Sequence, residues 1–224
     1  MLKTPIIIVN YKTYKQGFGK AAVELTRALE DAAMAHGANV AIAVSPSDVA
    51  ALSKMFKLPV LAQHIDPVGF GSFTGHIVPE SVVEAGAVGT LINHAERRLT
   101  LADVEANVRK CKELKIASCV CTNNIAVSAA AAVLEPDFVA VEPPELIGGD
   151  VSVSDAQPAI ISGSVEAVKR VAPNVRVLCG AGVKTGRDLR RALELGSEGV
   201  LLASGVVKAS DPRKVMEDLI GGLK

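Results

Sequence analysis

Eight short apolar runs recur along the 224 residues, spaced by longer segments of mixed polarity. The runs are Pro5–Val9, Asn39–Val44, Pro59–Ala62, Gly89–Ile92, Ile116–Val120, Phe138–Val141, Val175–Leu178 and Gly199–Leu202. Short runs rich in Val, Ile and Leu suit strands covered on both faces. Between them, Ala21–Ala35, Leu101–Leu114, Ala126–Leu134, Ser164–Val171, Thr185–Leu195 and Asp211–Ile220 have helical character. Thr100 stands as an N-cap for the second of these, with Asp103 in its first turn. Alternating strand and helix predict parallel strands joined by crossover helices. Eight units in 224 residues predict a closed (β/α)8 barrel, in one domain spanning residues 1–224, over an open doubly wound sheet. No Gly-x-Gly-x-x-Gly follows the first run, which argues against a dinucleotide-binding fold. Gly69–Gly75 falls in a long loop after the third strand, and no linker divides the chain.

Composition narrows the class. Hydrophobic residues make up 49% and aromatics only 3%, with no Trp, so the core is built of Ala, Val, Leu and Ile. Basic and acidic residues balance at 24 each, leaving no excess charge to neutralise a nucleic acid. No apolar stretch is long enough to span a bilayer. The first nine residues run into Asn10-Tyr11-Lys12 and read as a strand, not a leader. Of the four cysteines, none form a C-x-x-C pair, and Cys119 and Cys121 share one face of a strand. They read as small buried hydrophobes in a reducing, cytoplasmic compartment.

A barrel of this kind carries its chemistry where the strands end, on the C-terminal face. Asn10 and Lys12 follow strand one, Gln63 and His64 strand three, Asn93 and His94 strand four, and Glu142 strand six. A lone Lys is usually a solvated charge, but beside Asn10 on this rim Lys12 suits a phosphate or a developing oxyanion. Tyr11, between them, points away and packs. His94 has a structural alternative, bonded to backbone. A helix start beside it favours the neutral imidazole, which can donate to a carbonyl oxygen. Glu96 with Arg97 and Arg98 reads as a surface ion cluster, or as a brace in which one Arg pairs with Glu96. Gln63, His64, Cys121 and Thr122 read as structural, and His36 and His76 as loop or surface residues.

Glu142 closes its strand and is followed by Pro143 and Pro144, then by Gly148 and Gly149. The prolines stiffen the exit from the strand and the glycines loosen the far end, as in a hinged lid beside a carboxylate. The alternative is a solvated Glu before a turn. Gly180-Ala181-Gly182 and Ala203-Ser204-Gly205 follow strands seven and eight. Small residues there let backbone N–H groups approach a phosphate.

Asn10-Tyr11-Lys12, Asn93-His94-Ala95-Glu96-Arg97-Arg98 and Val141-Glu142-Pro143-Pro144-Glu145-Leu146-Ile147-Gly148 occur in that order on strands one, four and six. The chain resembles the triosephosphate isomerase family over essentially its whole length, in the compact form typical of archaea. The resemblance implies Glu142 as base, His94 as electrophile, Lys12 as electrostatic partner with Asn10 beside it, and Glu96 in support. It implies phosphate contacts from Ile147, Gly148, Gly182, Ala203 and Ser204. It also implies a glycolytic and gluconeogenic enzyme that needs no metal or organic cofactor and forms a homo-oligomer, a tetramer ahead of a dimer. Two motifs depart from the family. Cys179-Gly180-Ala181-Gly182 stands where members carry Tyr-Gly-Gly-Ser, so the hydroxyls that latch the lid are missing and Glu145 or backbone must serve. Ala203-Ser204 stands for the usual Gly-Gly.

The expected reaction converts dihydroxyacetone phosphate to D-glyceraldehyde 3-phosphate and back through an enediol(ate). A Schiff-base aldolase on the same barrel would need a strand-end Lys for its imine, for which Lys12 is the one candidate on the rim. A non-catalytic metabolite sensor would need no base.

Overall fold

The computed structural model describes residues 2–143 and 153–223. Its eight strands are β1 (Ile6–Asn10), β2 (Val40–Val44), β3 (Val60–Ala62), β4 (Gly89–Ile92), β5 (Ala117–Thr122), β6 (Phe138–Val141), β7 (Arg176–Cys179) and β8 (Gly199–Leu202). They pair in parallel, in sequence order, and β8 returns to β1 to close the barrel. Each apolar run of the sequence is therefore one stave, and the expected (β/α)8 barrel is present.

The helices are α1 (Gly19–His36), α2 (Pro46–Met55), α3 (Pro79–Glu84), α4 (Leu101–Leu114), α5 (Ile125–Ala132), α6 (Val153–Ala156), α7 (Pro158–Val171), α8 (Gly186–Glu194), α9 (Ser204–Val207) and α10 (Pro212–Gly221). Local chemistry sets several ends. The Thr100 hydroxyl accepts from the Asp103 amide to open α4, as expected. Thr185 and Asp188 form a reciprocal capping box at α8. Gly37, at φ +63°, ends α1 in the left-handed conformation that glycine adopts without penalty. The sequence reading did not name α2 or α3. Both begin at a proline, a good first helical residue, but they bury only two residues each, so their apolar stripe is faint. Helix α7 also starts six residues before the expected Ser164, again at a proline.

Strand residues alternate between two packed layers. Ile6, Ile8, Ala41, Ala43, Leu61, Leu91, Cys119, Cys121, Phe138, Ala140, Leu178 and Leu201 fill the barrel interior. Ile7, Val9, Ile42, Val60, Val120, Val139, Val177 and Val200 face the helices in the second layer. Tyr11 belongs to that outer layer, and its hydroxyl lies 2.8 Å from that of Thr26 on α1. The four cysteines are free thiols, all buried.

Closure of the barrel depends on Gly199. It sits at φ +146°, and a Cβ there would stand 2.1 Å from the Ile6 carbonyl oxygen across the β1–β8 seam. Both strand backbones are fixed by the ladder, so neither can retreat. Gly199→Ala is expected to cost about 3 kcal/mol of stability, read from urea unfolding. An unchanged midpoint would show that the seam can open.

Candidate active site

Strand parity aims the first groups inward. Ile6 and Ile8 face the barrel interior, so Asn10 falls on the same side; Phe138 and Ala140 do the same for Glu142. Both are buried, with 4% exposure each. Gly180 falls on the interior side after Leu178. A Cβ on it would meet Glu142 Cγ at 2.3 Å, so glycine is what leaves room for the carboxylate.

Left-handed backbone brings two further groups to the site, Lys12 itself and His94. Lys12 (φ +48°) and Asn93 (φ +62°) adopt left-handed backbone, which few residues other than glycine do. The Lys12 amide donates to Asn10 Oδ1 at 2.9 Å. Asn93, among the side chains that tolerate this region best, donates to the Cys121 carbonyl and accepts from the Leu99 amide. Its turn brings His94 to the cleft.

His94 and Glu142 face each other there. Nε2 of the imidazole and Oε2 of the carboxylate are both buried and lack a hydrogen-bond partner, and they stand 3.6 Å apart. That separation is too long for a hydrogen bond between them. Buried polar atoms are nearly always satisfied, so a facing pair left open marks a place for a third group. The other ring nitrogen, Nδ1, accepts the Glu96 amide at 3.2 Å. A neutral ring therefore carries its proton on Nε2 and presents it to the gap.

Burial first, then the nearby Lys12 charge, hold His94 down at about 4, so it is neutral near pH 7. The expected cause, a helix start, is not what acts: α4 begins only at Leu101, beyond a turn in which the Arg97 amide bonds to the His94 carbonyl. Burial also pushes Glu142 up to about 7, while a hydrogen bond with Cys121 and the charges of Lys12 and Arg98 pull the other way. The two groups thus titrate far apart, each near the form needed for proton traffic at neutral pH.

Glu96 does not pair with an arginine. Its carboxylate takes the Lys12 ammonium at 3.0 Å, Arg97 reaches Asp66 at 3.2 Å, and Arg98 donates to the Asn93 carbonyl. The Glu96 side chain is 60% exposed, so its bond to Lys12 is worth at most about 1 kcal/mol and leaves the ammonium available.

One cleft collects Asn10, Lys12, Glu142, Gly182, Ala203, Ser204 and Gly205, together with Tyr14 and Lys184, which the sequence reading did not single out. Tyr14 follows Lys12 by two residues, and Lys184 lies in the loop after β7; position in those loops was the available signal. Gly182, at φ +70°, again needs the freedom of glycine. Helix α9 opens at Ser204, so the Ser204 and Gly205 amides have no preceding turn to bond to and point an electropositive end at the cleft. His94 borders an adjoining hollow of about 280 Å³, which Asn10 and Lys12 share. Gln63 and His64 lie there too, the latter bound to Asp66 at 2.9 Å. His36 and His76 are exposed, as expected. Ile147 and Gly148, and the latch expected of Glu145, lie outside the described residues.

The site as built offers a buried carboxylate, a neutral ring donor, a cation and small-residue turns for an anion. The family model for triosephosphate isomerase matches residues 5–220. The triosephosphate isomerase of Methanosarcina acetivorans is 54% identical over 97% of this chain and 98% of its own length. That of Archaeoglobus fulgidus is 53% identical over 99% of both. The crystal structure of triosephosphate isomerase from Bartonella henselae superposes with a TM-score of 0.77 at 18% identity, covering 97% of this chain and 99% of that one, a likeness of fold. The chain belongs to the triosephosphate isomerase family.

Proposed function

We propose that Glu142, His94 and Lys12 carry the interconversion of dihydroxyacetone phosphate and D-glyceraldehyde 3-phosphate in this cleft. The activity is that of an intramolecular aldose–ketose isomerase, as the family and its close relatives indicate. The observation that carries the residue roles is the open pair across 3.6 Å, His94 Nε2 and Glu142 Oε2.

Glu142 takes a proton from the carbon beside the carbonyl. The electron pair of that C–H bond forms the carbon–carbon double bond of the enediol(ate), and charge moves onto the carbonyl oxygen. His94 donates to that oxygen from Nε2, and the Lys12 ammonium sets its charge against it. The proton of the adjacent hydroxyl passes to that oxygen by way of His94 Nε2, and protonated Glu142 returns its proton to the former carbonyl carbon as the new carbonyl forms beside it. Gly182, Ala203 and Ser204 hold the phosphate, with Ile147 and Gly148 as its further contacts on the family's pattern, and Glu96 steadies Lys12 between turnovers. The family match and the relatives, which are triosephosphate isomerases, disfavour a Schiff-base aldolase.

The test is isomerase activity on D-glyceraldehyde 3-phosphate, coupled to reduction of dihydroxyacetone phosphate. Turnover supports the reading; none in the folded chain overturns it. The pH profile adds a second check. Glu142 must be ionised to act and is held near 7, so kcat/KM should fall about tenfold per pH unit below 7. His94, near 4, adds no limb between pH 5 and 8. An acid limb near the ordinary carboxylate value would count against Glu142 as the base.

Gly180→Ala should shift the base without removing it. A Cβ there meets Glu142 Cγ, and a displacement of about 1 Å costs on the order of 10²-fold in turnover. Steady-state kinetics with an unchanged melting temperature would show it; a wild-type kcat would mean the carboxylate has room to spare.

Buried free thiols support a reducing, cytoplasmic setting, and no described helix is long and apolar enough to cross a membrane. Exposed Ile125 and Val127 on α5, with Val133 just past its end, support a homo-oligomer, and the resemblance to the archaeal forms favours a tetramer ahead of a dimer.

A further inference from the structure

Lys12 presents its ammonium from a backbone conformation that a lysine does not choose. A non-glycine residue at φ +48° gives up roughly 1 kcal/mol or more, and persists only where its surroundings over-determine it. Asn10 Oδ1 holds the Lys12 amide, as described, but an Asn side chain must itself be held. The residue that closes this arrangement is Gln63, two strands away.

Gln63 continues β3 beyond Ala62. Its backbone amide donates to the Val44 carbonyl at 3.0 Å, which keeps it in register with β2. Leu61 faces the interior, so Gln63 falls on the same side. Its side-chain nitrogen Nε2 meets three oxygens: the Lys12 carbonyl at 2.9 Å, Asn10 Oδ1 at 3.3 Å and the Ala43 carbonyl at 3.3 Å. Three acceptors around one end of the amide settle which end is NH2. Both peptide groups of Lys12 therefore lead to Gln63, the C=O directly and the N–H through Asn10. The Lys12 side chain is only 8% exposed, so its path to the cleft is set by this backbone turn and not by free rotation in solvent.

We infer that Gln63 is the positioning residue for Lys12, its amide nitrogen locking the left-handed turn that aims the ammonium at the substrate. The inference rests on the role proposed above for Lys12. It acts through Lys12 alone: the amide supplies the hydrogen-bond donor that three oxygens need, which neither an apolar nor a carboxylate side chain of the same length supplies.

The test is a double-mutant cycle on kcat/KM, using wild type, Gln63→Met, Lys12→Ala and the double variant, with melting temperature recorded for each. Met keeps the length and removes the donor. Gln63→Met should lower kcat/KM on the order of 10- to 10²-fold in the wild-type background. With Lys12 already gone, the same change should cost less than about twofold. Equal losses in both backgrounds, or no loss in either, would overturn the inference, because a residue that merely supports the fold acts with or without Lys12. Should Gln63→Met fail to fold, the same cycle runs on Gln63→Glu, which keeps the shape and turns oxygen toward three oxygens. Protonation of the introduced carboxylate restores one donor, so the activity of Gln63→Glu relative to wild type should rise as pH falls; a flat ratio with no coupling to Lys12 would overturn the inference. A Lys12→Ala variant with wild-type kinetics would sink the role of Lys12 and this inference together. A disabled Lys12→Ala variant with no coupling would sink the Gln63 inference alone.

Discussion

Glu142→Gln should leave a folded chain that binds inorganic phosphate like the wild type and turns over about 10⁴-fold more slowly. The amide keeps the shape of the carboxylate, so the Gly180 wall and the Cys121 contact persist, but it cannot accept a proton from carbon. Glu142→Asp should also bind phosphate almost normally, and lose on the order of 10²-fold or more, since the carboxylate retreats by one methylene. Equal losses of binding and turnover in either variant would point to a damaged cleft and against a missing base.

The same substitution to Gln should stabilise the fold at alkaline pH. Burial holds the folded Glu142 near 7, above the ordinary 4.5 of an unfolded chain. A group raised in this way favours folding below the unfolded value, and that advantage is lost as pH rises through about 7. Above that pH the wild type keeps a buried charge that the Gln variant lacks. The melting temperature of Glu142→Gln should therefore exceed that of wild type at pH 8, and the difference should vanish near pH 4. Activity here is obtained at the expense of stability, and thermal melts at the two pH values would show it.

Lys12→Ala should have the second largest effect, about 10³-fold in kcat/KM, with KM raised and kcat lowered together. A charge in a cleft this buried acts through a low local dielectric, so its loss is felt in both the bound and the activated complex. The fold should barely change, because Glu96, left without its partner, already stands 60% in solvent. The pH profile should move as well. Lys12 pulls the Glu142 titration down, so removing it should shift the acid limb of kcat/KM to higher pH. A Lys12→Ala variant with the wild-type limb and only a raised KM would mean that Lys12 binds phosphate and does nothing at the reacting carbon.

Much of this was legible in residue order, for reasons the structure makes plain. A strand buried on both faces cannot hide its apolar run, so all eight staves stood out, and parity from Ile6 to Asn10 and from Phe138 to Glu142 carried the interior face to its functional end. The placing of Asn10, Lys12, His94 and Glu142 on one rim was readable because each lies within two residues of a strand end. Helices α2 and α3 were not, since a helix that buries two residues leaves little period to detect. Partner choice was hidden for a different reason. Glu96 lies 84 residues from Lys12, and Gln63 lies 51 from it; only barrel closure brings them together. The neutral His94 was expected correctly and for the wrong cause, since burial does what a helix start was thought to do.

The most direct test of proton transfer through Glu142 is isomerisation in D2O, followed by proton NMR of the product. The wild type should place deuterium on the carbon that receives the proton, because protonated Glu142 exchanges with solvent before it gives the proton back. Glu142→Gln should slow exchange and isomerisation together, by about 10⁴-fold. Isomerisation by Glu142→Gln at a rate near wild type, with deuterium still incorporated, would contradict the account, since some other group would then be moving the proton.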